Sequence, residues 1–205
     1  MKNNYFIAIY TYGGKSYCED MFFKRIKEIA QGNPVHIVDN SSDLHYYNKL
    51  KSRYSFDNFT YYHLNITEGR YQFLRTVEKS ANYLRKLFLK TNLPKFLIIE
   101  SDVIPPVDLL DRFDNTLSKL PEDAGILGAL YYKNFHDFSK KGIQKVGHAL
   151  SGCTVYKRKL IEKYSFRWSV ENLAAFPDAW ICGDCTHDFT IWNNNDIICK
   201  HMNYM

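Results

Sequence analysis

The chain has 205 residues, 45% hydrophobic and 24% charged, enough to bury one core and too few for a second domain of ordinary size. Its formal charge of +5 is spread along the chain, so it tolerates a polyphosphate, a nucleic acid or an anionic surface and selects none of them. No apolar run approaches the ~18 to 20 residues of a bilayer span, which excludes a membrane-spanning reading and leaves peripheral membrane contact.

The N-terminal residues lead into an apolar strand-like run without the pattern of an export signal. Five cysteines, an odd number in a chain that needs no staples, favour free thiols and a reducing compartment, so a cytoplasmic location is expected. The sequons at Asn40, Asn58 and Asn65 then carry no meaning.

Short apolar runs alternate with longer amphipathic ones, the pattern of an α/β fold with a mostly parallel central sheet flanked by helices. Strands are predicted at Tyr5–Tyr10, Val35–Val38, Tyr61–Leu64, Phe96–Ile99 and Gly125–Leu130, with helices at Met21–Ala30, Leu44–Tyr54 and Gly69–Leu89. In the last of these helices Leu74, Val77, Ala81, Leu84 and Phe88 form one apolar stripe. The polar stretch from Lys133 to Lys145 reads as a loop, either an ordinary exposed connection or a lid. Beyond it come a strand at Gly152–Tyr156, a short helix from Lys157, an aromatic loop to Trp180, a helix from about Asp184 to Trp192, and a final strand at Ile197–His201.

Ligands of parallel sheets sit outside the carboxyl ends of the strands. Three such ends carry polar residues: Tyr10-Thr11-Tyr12-Gly13-Gly14, the run Asp39 to Asp43, and Glu100-Ser101-Asp102. In a continuing strand Glu100 and Asp102 share a face and converge on one hard cation, Mg²⁺ or Mn²⁺. A turn in which Asp102 caps the helix after Pro105-Pro106 is the alternative. Asp39, ending a buried strand, needs hydrogen-bond donors that a base or ribose could supply.

This ordered set, Asp39 to Asp43, then Asn65 to Gly69 before a basic helix with Arg75, then Glu100-Ser101-Asp102, resembles the nucleotide-binding half of family-2 GT-A glycosyltransferases. The resemblance continues through Ser151 to Arg158 and ends with Gly183 to Ile191 and His201. It implies a single Rossmann-like GT-A domain over residues 1–205, with 1–130 as the nucleotide-sugar half and 131–205 as the acceptor half. It also implies a nucleotide-diphosphate sugar donor, most often a UDP-sugar, with Mn²⁺ or Mg²⁺. Asp39 would bind the base, the backbone around Thr11 and Tyr12 would wrap the nucleoside, and Glu100 and Ser101 would lie near the ribose. Asp102 and His201 would be metal ligands, with Glu100 contacting the metal directly or through water, and Arg75 would lie near the diphosphate. Asp188 falls on the second position of the family's Glu-Asp box, which makes it the candidate base of an inverting transfer, with Asp184 as the offset alternative. The glutamate in place of the first aspartate of the Asp-X-Asp motif and His187 in place of the box glutamate are departures from the family pattern.

Rival readings are a degenerate nucleotide-sugar-binding module without turnover and a nucleotidyltransferase, of whose basic loop Gly13-Gly14-Lys15 is a faint echo. A third is a small zinc site from Cys182, Cys185, His187, Cys199 and His201. The acceptor is read as a glycan, soluble or lipid-linked, with a hydroxymethylated DNA base second.

Overall fold

A computed structural model describes residues 4–66, 72–131, 141–149, 152–169 and 175–202. The first strand, β1 (Tyr5–Thr11), is buried on both faces, as its unbroken apolar run requires. Helix α1 (Glu19–Ala30) returns the chain to β2 (Val35–Asp39), and α2 (Leu44–Arg53) returns it to β3 (Phe59–His63). Helix α3 (Gln72–Leu89) then leads to β4 (Lys95–Ile99). These four strands pair in parallel in the order β3-β2-β1-β4, so their carboxyl ends share one edge. The Asp43 side chain, accepting from the His45 amide, fixes the start of α2 in the manner expected of an aspartate at a helix N-cap.

A two-residue strand, β5 (Val103–Ile104), precedes α4 (Leu109–Leu117) and β6 (Ala124–Tyr131). Strand β7 (Ile143–Val146), β8 (Cys153–Lys157), α5 (Arg158–Lys163), α6 (Pro177–Cys185) and β9 (Thr190–His201) complete the chain. Strand β8 enters antiparallel between β4 and β6, and β9 runs parallel to β6 while pairing antiparallel with β5 and β7.

Alternation along the strands divides the core into two layers. Tyr5, Ile7, Ile9, Leu97 and Ile99 face α1, α2 and α4, whereas Phe6, Ala8, Phe96 and Ile98 face α3, α5 and α6. The stripe expected on α3 is the buried one: Val77, Ala81, Leu84 and Phe88 are in the core and Leu74 is half-buried at its edge. Among the described residues no helix is long and apolar enough to cross a membrane.

Two expectations fail in the last third. Residues expected to be helical from Asp184 to Trp192 instead end α6 at Cys185 and enter β9 at Thr190. Of the loop expected from Lys133 to Lys145, residues 133–140 lie outside the described residues, as does Ser151, and Ile143–Lys145 belong to β7. Both differences have one cause. Strand β9 pairs with β6 over residues 190–194 and 198–199 and, segment by segment, with β7 and β5, while the amides of Asn195 and Asp196 donate to the Gly142 carbonyl and the Asn194 side chain, so the strand persists through the polar run Asn193-Asn194-Asn195-Asp196.

Candidate functional site

Because β1, β2 and β4 are parallel, register brings their polar ends together. Thr11 is the strand partner of Asp39, the Asn40 amide donates to the Thr11 carbonyl at 2.9 Å, and Glu100 immediately follows β4 at the same edge. These ends border a cleft of about 800 Å³. Its walls are Tyr10 and Thr11 at the end of β1, Tyr12 and Lys15 after it, Asn40 to Ser42 after β2, Glu100 to Asp102 after β4, and His201 and Met202 at the end of β9. Phe73, Thr76 and Val77 of α3 and Phe176, just before α6, close the remaining side.

Asp39 is 1% exposed and reaches the cleft through its neighbours. Its Oδ1 accepts from the Ser41 hydroxyl at 2.6 Å and the Ser41 amide at 3.1 Å, and its Oδ2 lies 2.8 Å from His63 Nδ1. The Ser41 oxygen in turn accepts from the Gly13 amide at 2.9 Å, which locks the loop after β1 to the loop after β2. His63 is a partner the sequence reading missed. The cue was its place at the end of β3, in register with Asp39.

Glu100, Ser101 and Asp102 form a hydrogen-bonded turn, with the Val103 amide donating to the Glu100 carbonyl at 2.9 Å. The two carboxylates therefore converge through a turn, not through strand alternation. Asp102 caps no helix, since Asp108 precedes α4 and β5 intervenes. Glu100 accepts from the Tyr10 hydroxyl at 3.3 Å. Asp102 is 3% exposed; its Oδ2 is bonded by the Lys15 ammonium and lies 3.5 Å from His201 Nε2. Its Oδ1 has no hydrogen-bond partner among the described residues. The C-terminal end is tied in by the Met202 amide, which donates to the Asp102 carbonyl at 2.7 Å, and by the Tyr17 hydroxyl, which donates to the Met202 carbonyl at 2.9 Å.

Tyr131, at the end of β6, stacks on His201 with ring centroids 5.7 Å apart. Burial first, and then the carboxylates of Glu100, Asp178 and Asp102, push its hydroxyl far above the ordinary tyrosine range, so it stays neutral between three acids. A Cβ on Gly152 would come within 2.4 Å of the Tyr131 ring, so only glycine leaves room for the ring there.

The third acid was not anticipated. Asp178 occupies the first turn of α6, two residues after the cleft-lining Phe176, is almost fully buried, and lies 3.3 Å from His148 Nε2. Pro177 at the head of a helix followed by an acid was the available signal, since proline suits the first helical position and a carboxylate suits the positive end of the helix.

Besides Asp39, three expected residues do not line the cleft. Asp184 is held by the Arg167 guanidinium through two contacts of 2.7 Å. Asp188 is bound by Lys163 at 2.6 Å and by the Tyr164 hydroxyl, and these two bonds hold its carboxyl below the usual range. Arg75 lies over the Trp168 ring, 5.3 Å from its centroid, on the exposed side of α3. The physical reason for the two aspartates is the early end of α6, which leaves Asp188 in the turn before β9 instead of at a helix start.

Asp102 Oδ1, buried and unpartnered, with a histidine nitrogen nearby, fits a small hard cation that takes its remaining ligands from substrate and water. No cluster of three or more His, Cys, Asp and Glu side chains with metal-holding geometry occurs among the described residues, so the protein would contribute a minority of the ligands. The zinc constellation does not assemble. Cys182 and Cys185 of α6 are buried in one core layer, whereas Cys199 lies in the opposite layer, a free thiol in hydrogen-bonding contact with the free thiol of Cys153.

No protein-family model matches the sequence, and no curated protein is similar to it in sequence. Solved structures are similar in fold. The mannosyltransferase PcManGT from Pyrobaculum calidifontis, in complex with GDP-Man and Mn²⁺, matches with a TM-score of 0.71 at 14% identity over 98% of this chain. TarS 1–349 from S. aureus, in complex with UDP-GlcNAc, matches with a TM-score of 0.71 at 13% identity over 98% of this chain. The fold is that of the GT-A glycosyltransferases. A197 from STIV also matches, with a TM-score of 0.55 at 14% identity over 98% of this chain and 86% of its own. The chain spans 57% of PcManGT and 59% of TarS 1–349.

Proposed function

We propose that this protein transfers a sugar, hexosyl or N-acetylhexosaminyl, from a nucleotide-diphosphate sugar to an acceptor hydroxyl with inversion. The observation that carries the reading is the meeting, in one cleft at the carboxyl edge of the parallel strands, of the Asp39 loop, the Glu100-to-Asp102 turn and His201. The complexes of PcManGT with GDP-Man and of TarS with UDP-GlcNAc support a nucleotide-sugar donor for the same fold.

Ser41, held by Asp39, and Asn40, held by the Thr11 carbonyl, form the wall for the base, and Tyr12 flanks the nucleoside. Asp39 thus acts through its partners, and Glu100 lies where the ribose or a bound water would be. Asp102 and His201 would hold Mn²⁺ or Mg²⁺, which when bound offsets the negative charge on the departing diphosphate. Asp178 is the base. As the acceptor oxygen bonds to the anomeric carbon, its proton passes to the Asp178 carboxylate, while the bond from that carbon to the diphosphate breaks and its electron pair leaves with the nucleotide. The aromatic pair Phe73 and Phe176, in edge contact at 5.9 Å and each partly exposed, offers apolar faces to a sugar ring, which favours a glycan acceptor.

The test is binding of a panel of UDP- and GDP-sugars in the presence of Mn²⁺, followed by calorimetry. Asp39→Ala leaves the Ser41 amide and His63 without their acceptor, loosens the base wall, and is expected to weaken the preferred donor by roughly 10- to 100-fold. Donor affinity unchanged in a folded Asp39→Ala protein would remove Asp39 from the nucleoside site.

A further inference from the structure

Lys15 is the one lysine or arginine lining the cleft among the described residues. Its backbone is pinned in a 3-10 turn, Gly13–Lys15: its amide donates to the Tyr12 carbonyl at 2.9 Å and its carbonyl accepts from the Cys18 amide at 3.3 Å. Its four-carbon arm is partly exposed, whereas the carboxylate it bonds is nearly sealed.

The ammonium sits on Asp102 Oδ2, the oxygen also nearest to His201 Nε2. A buried carboxylate needs a counter-charge, and here the protein supplies its own. A divalent ion arriving at Asp102 meets that ammonium within a few ångströms, and like charges so close repel strongly in a partly desolvated site. The rigid partners cannot move away, but the lysine arm can swing. The cleft then has to hold an anion able to receive it, and a nucleotide diphosphate in the same cleft is such an anion, with lysine a common phosphate binder.

We infer that Lys15 is an internal counter-cation that couples metal loading to nucleotide binding: it holds Asp102 while the cleft is empty and transfers to the diphosphate when metal and nucleotide enter together. The inference rests on the reading that Asp102 is a metal ligand, and it adds an order to the assembly of the site. Metal alone binds poorly because it must displace an ammonium that has nowhere charged to go. Metal with nucleotide binds well because the displaced charge gains a partner.

The experiment is calorimetric titration of the full chain with Mn²⁺, cross-checked by loss of the free-ion Mn²⁺ paramagnetic resonance signal, in the presence and absence of saturating UDP. The wild type is expected to bind Mn²⁺ at least about tenfold more tightly with UDP than without it. Lys15→Met should bind Mn²⁺ alone about tenfold more tightly than the wild type and gain little further from UDP. Lys15→Arg, which keeps the charge, should retain weak binding of Mn²⁺ alone and provides the answer if the Met variant does not fold. If Lys15→Met takes up Mn²⁺ alone no better than the wild type, while the wild type still binds it with UDP, the coupling role is wrong and the metal site stands. Absence of Mn²⁺ binding in every protein, with and without UDP, would overturn the metal site and the coupling together.

Discussion

Replacing Asp178 with Asn is expected to lower sugar transfer by on the order of 10²- to 10⁴-fold while leaving nucleotide-sugar affinity unchanged. The amide has the shape of the carboxylate and can keep the contact with His148 at 3.3 Å, but it cannot take a proton from an acceptor hydroxyl. Position and burial together single out Asp178. It lies in the first turn of α6, behind the cleft wall and two residues after the cleft-lining Phe176, with His148 beside it. Asp184→Asn and Asp188→Asn make the comparison decisive. Both carboxylates are engaged outside the cleft, by Arg167 and by Lys163 with Tyr164, so both variants should transfer sugar at the wild-type rate. Kinetics with saturating donor and varied acceptor check this. Loss of transfer in Asp188→Asn with retention in Asp178→Asn would return the base to the turn before β9.

The second large effect is expected from Asp102→Ala, which should reduce metal-stimulated release of nucleotide from the donor by at least about 10²-fold. The substitution removes the carboxylate shared by Lys15 and His201 and the buried Oδ1 that faces no partner among the described residues. The fold should survive it. The Asp102 carbonyl still accepts from Met202, the Val103–His201 pairing of β5 with β9 is unaffected, and the partly exposed Lys15 can turn to solvent. Nucleotide release measured across a Mn²⁺ titration, with circular dichroism to confirm folding, separates a lost site from a lost structure. Turnover and metal stimulation at wild-type levels in the folded variant would remove Asp102 from the metal site.

The N-terminal part of the sheet was legible in the sequence because strands such as β1 and β4 are buried on both faces. Runs such as Phe96 to Ile99 admit no competing pattern, and a parallel sheet then fixes where the polar residues after each run must gather. That is why Thr11, Asp39, Glu100 and Asp102 were found at one edge without any knowledge of distances. The contacts among them were not legible. That His63 backs Asp39 depends on strand register, and that Lys15 reaches Asp102 depends on a 3-10 turn of three residues. The last third of the chain resisted for a different reason. Strand β9 draws its stability from pairing on both sides, so its side chains were free to be polar, and the run Asn193 to Asp196 carries no strand period. With β9 misread, the helix before it was placed toward the C-terminus, so that the acids at its start were sought at Asp184 and Asp188 and the first turn of α6, with Asp178, was passed over. His201 escaped this error because the last part of β9, from Ile197, keeps an apolar alternation that ends at the cleft.

Crystals of the full chain grown with UDP and Mn²⁺ and measured at the manganese absorption edge would show most directly whether one nucleotide spans this edge of the sheet. A single anomalous peak is expected within bonding distance of Asp102 and His201, with the diphosphate beside it and the uracil ring against Asn40 and Ser41. A nucleotide seated elsewhere on the protein, or a manganese peak remote from Asp102, would contradict the assignment of the cleft as the donor site.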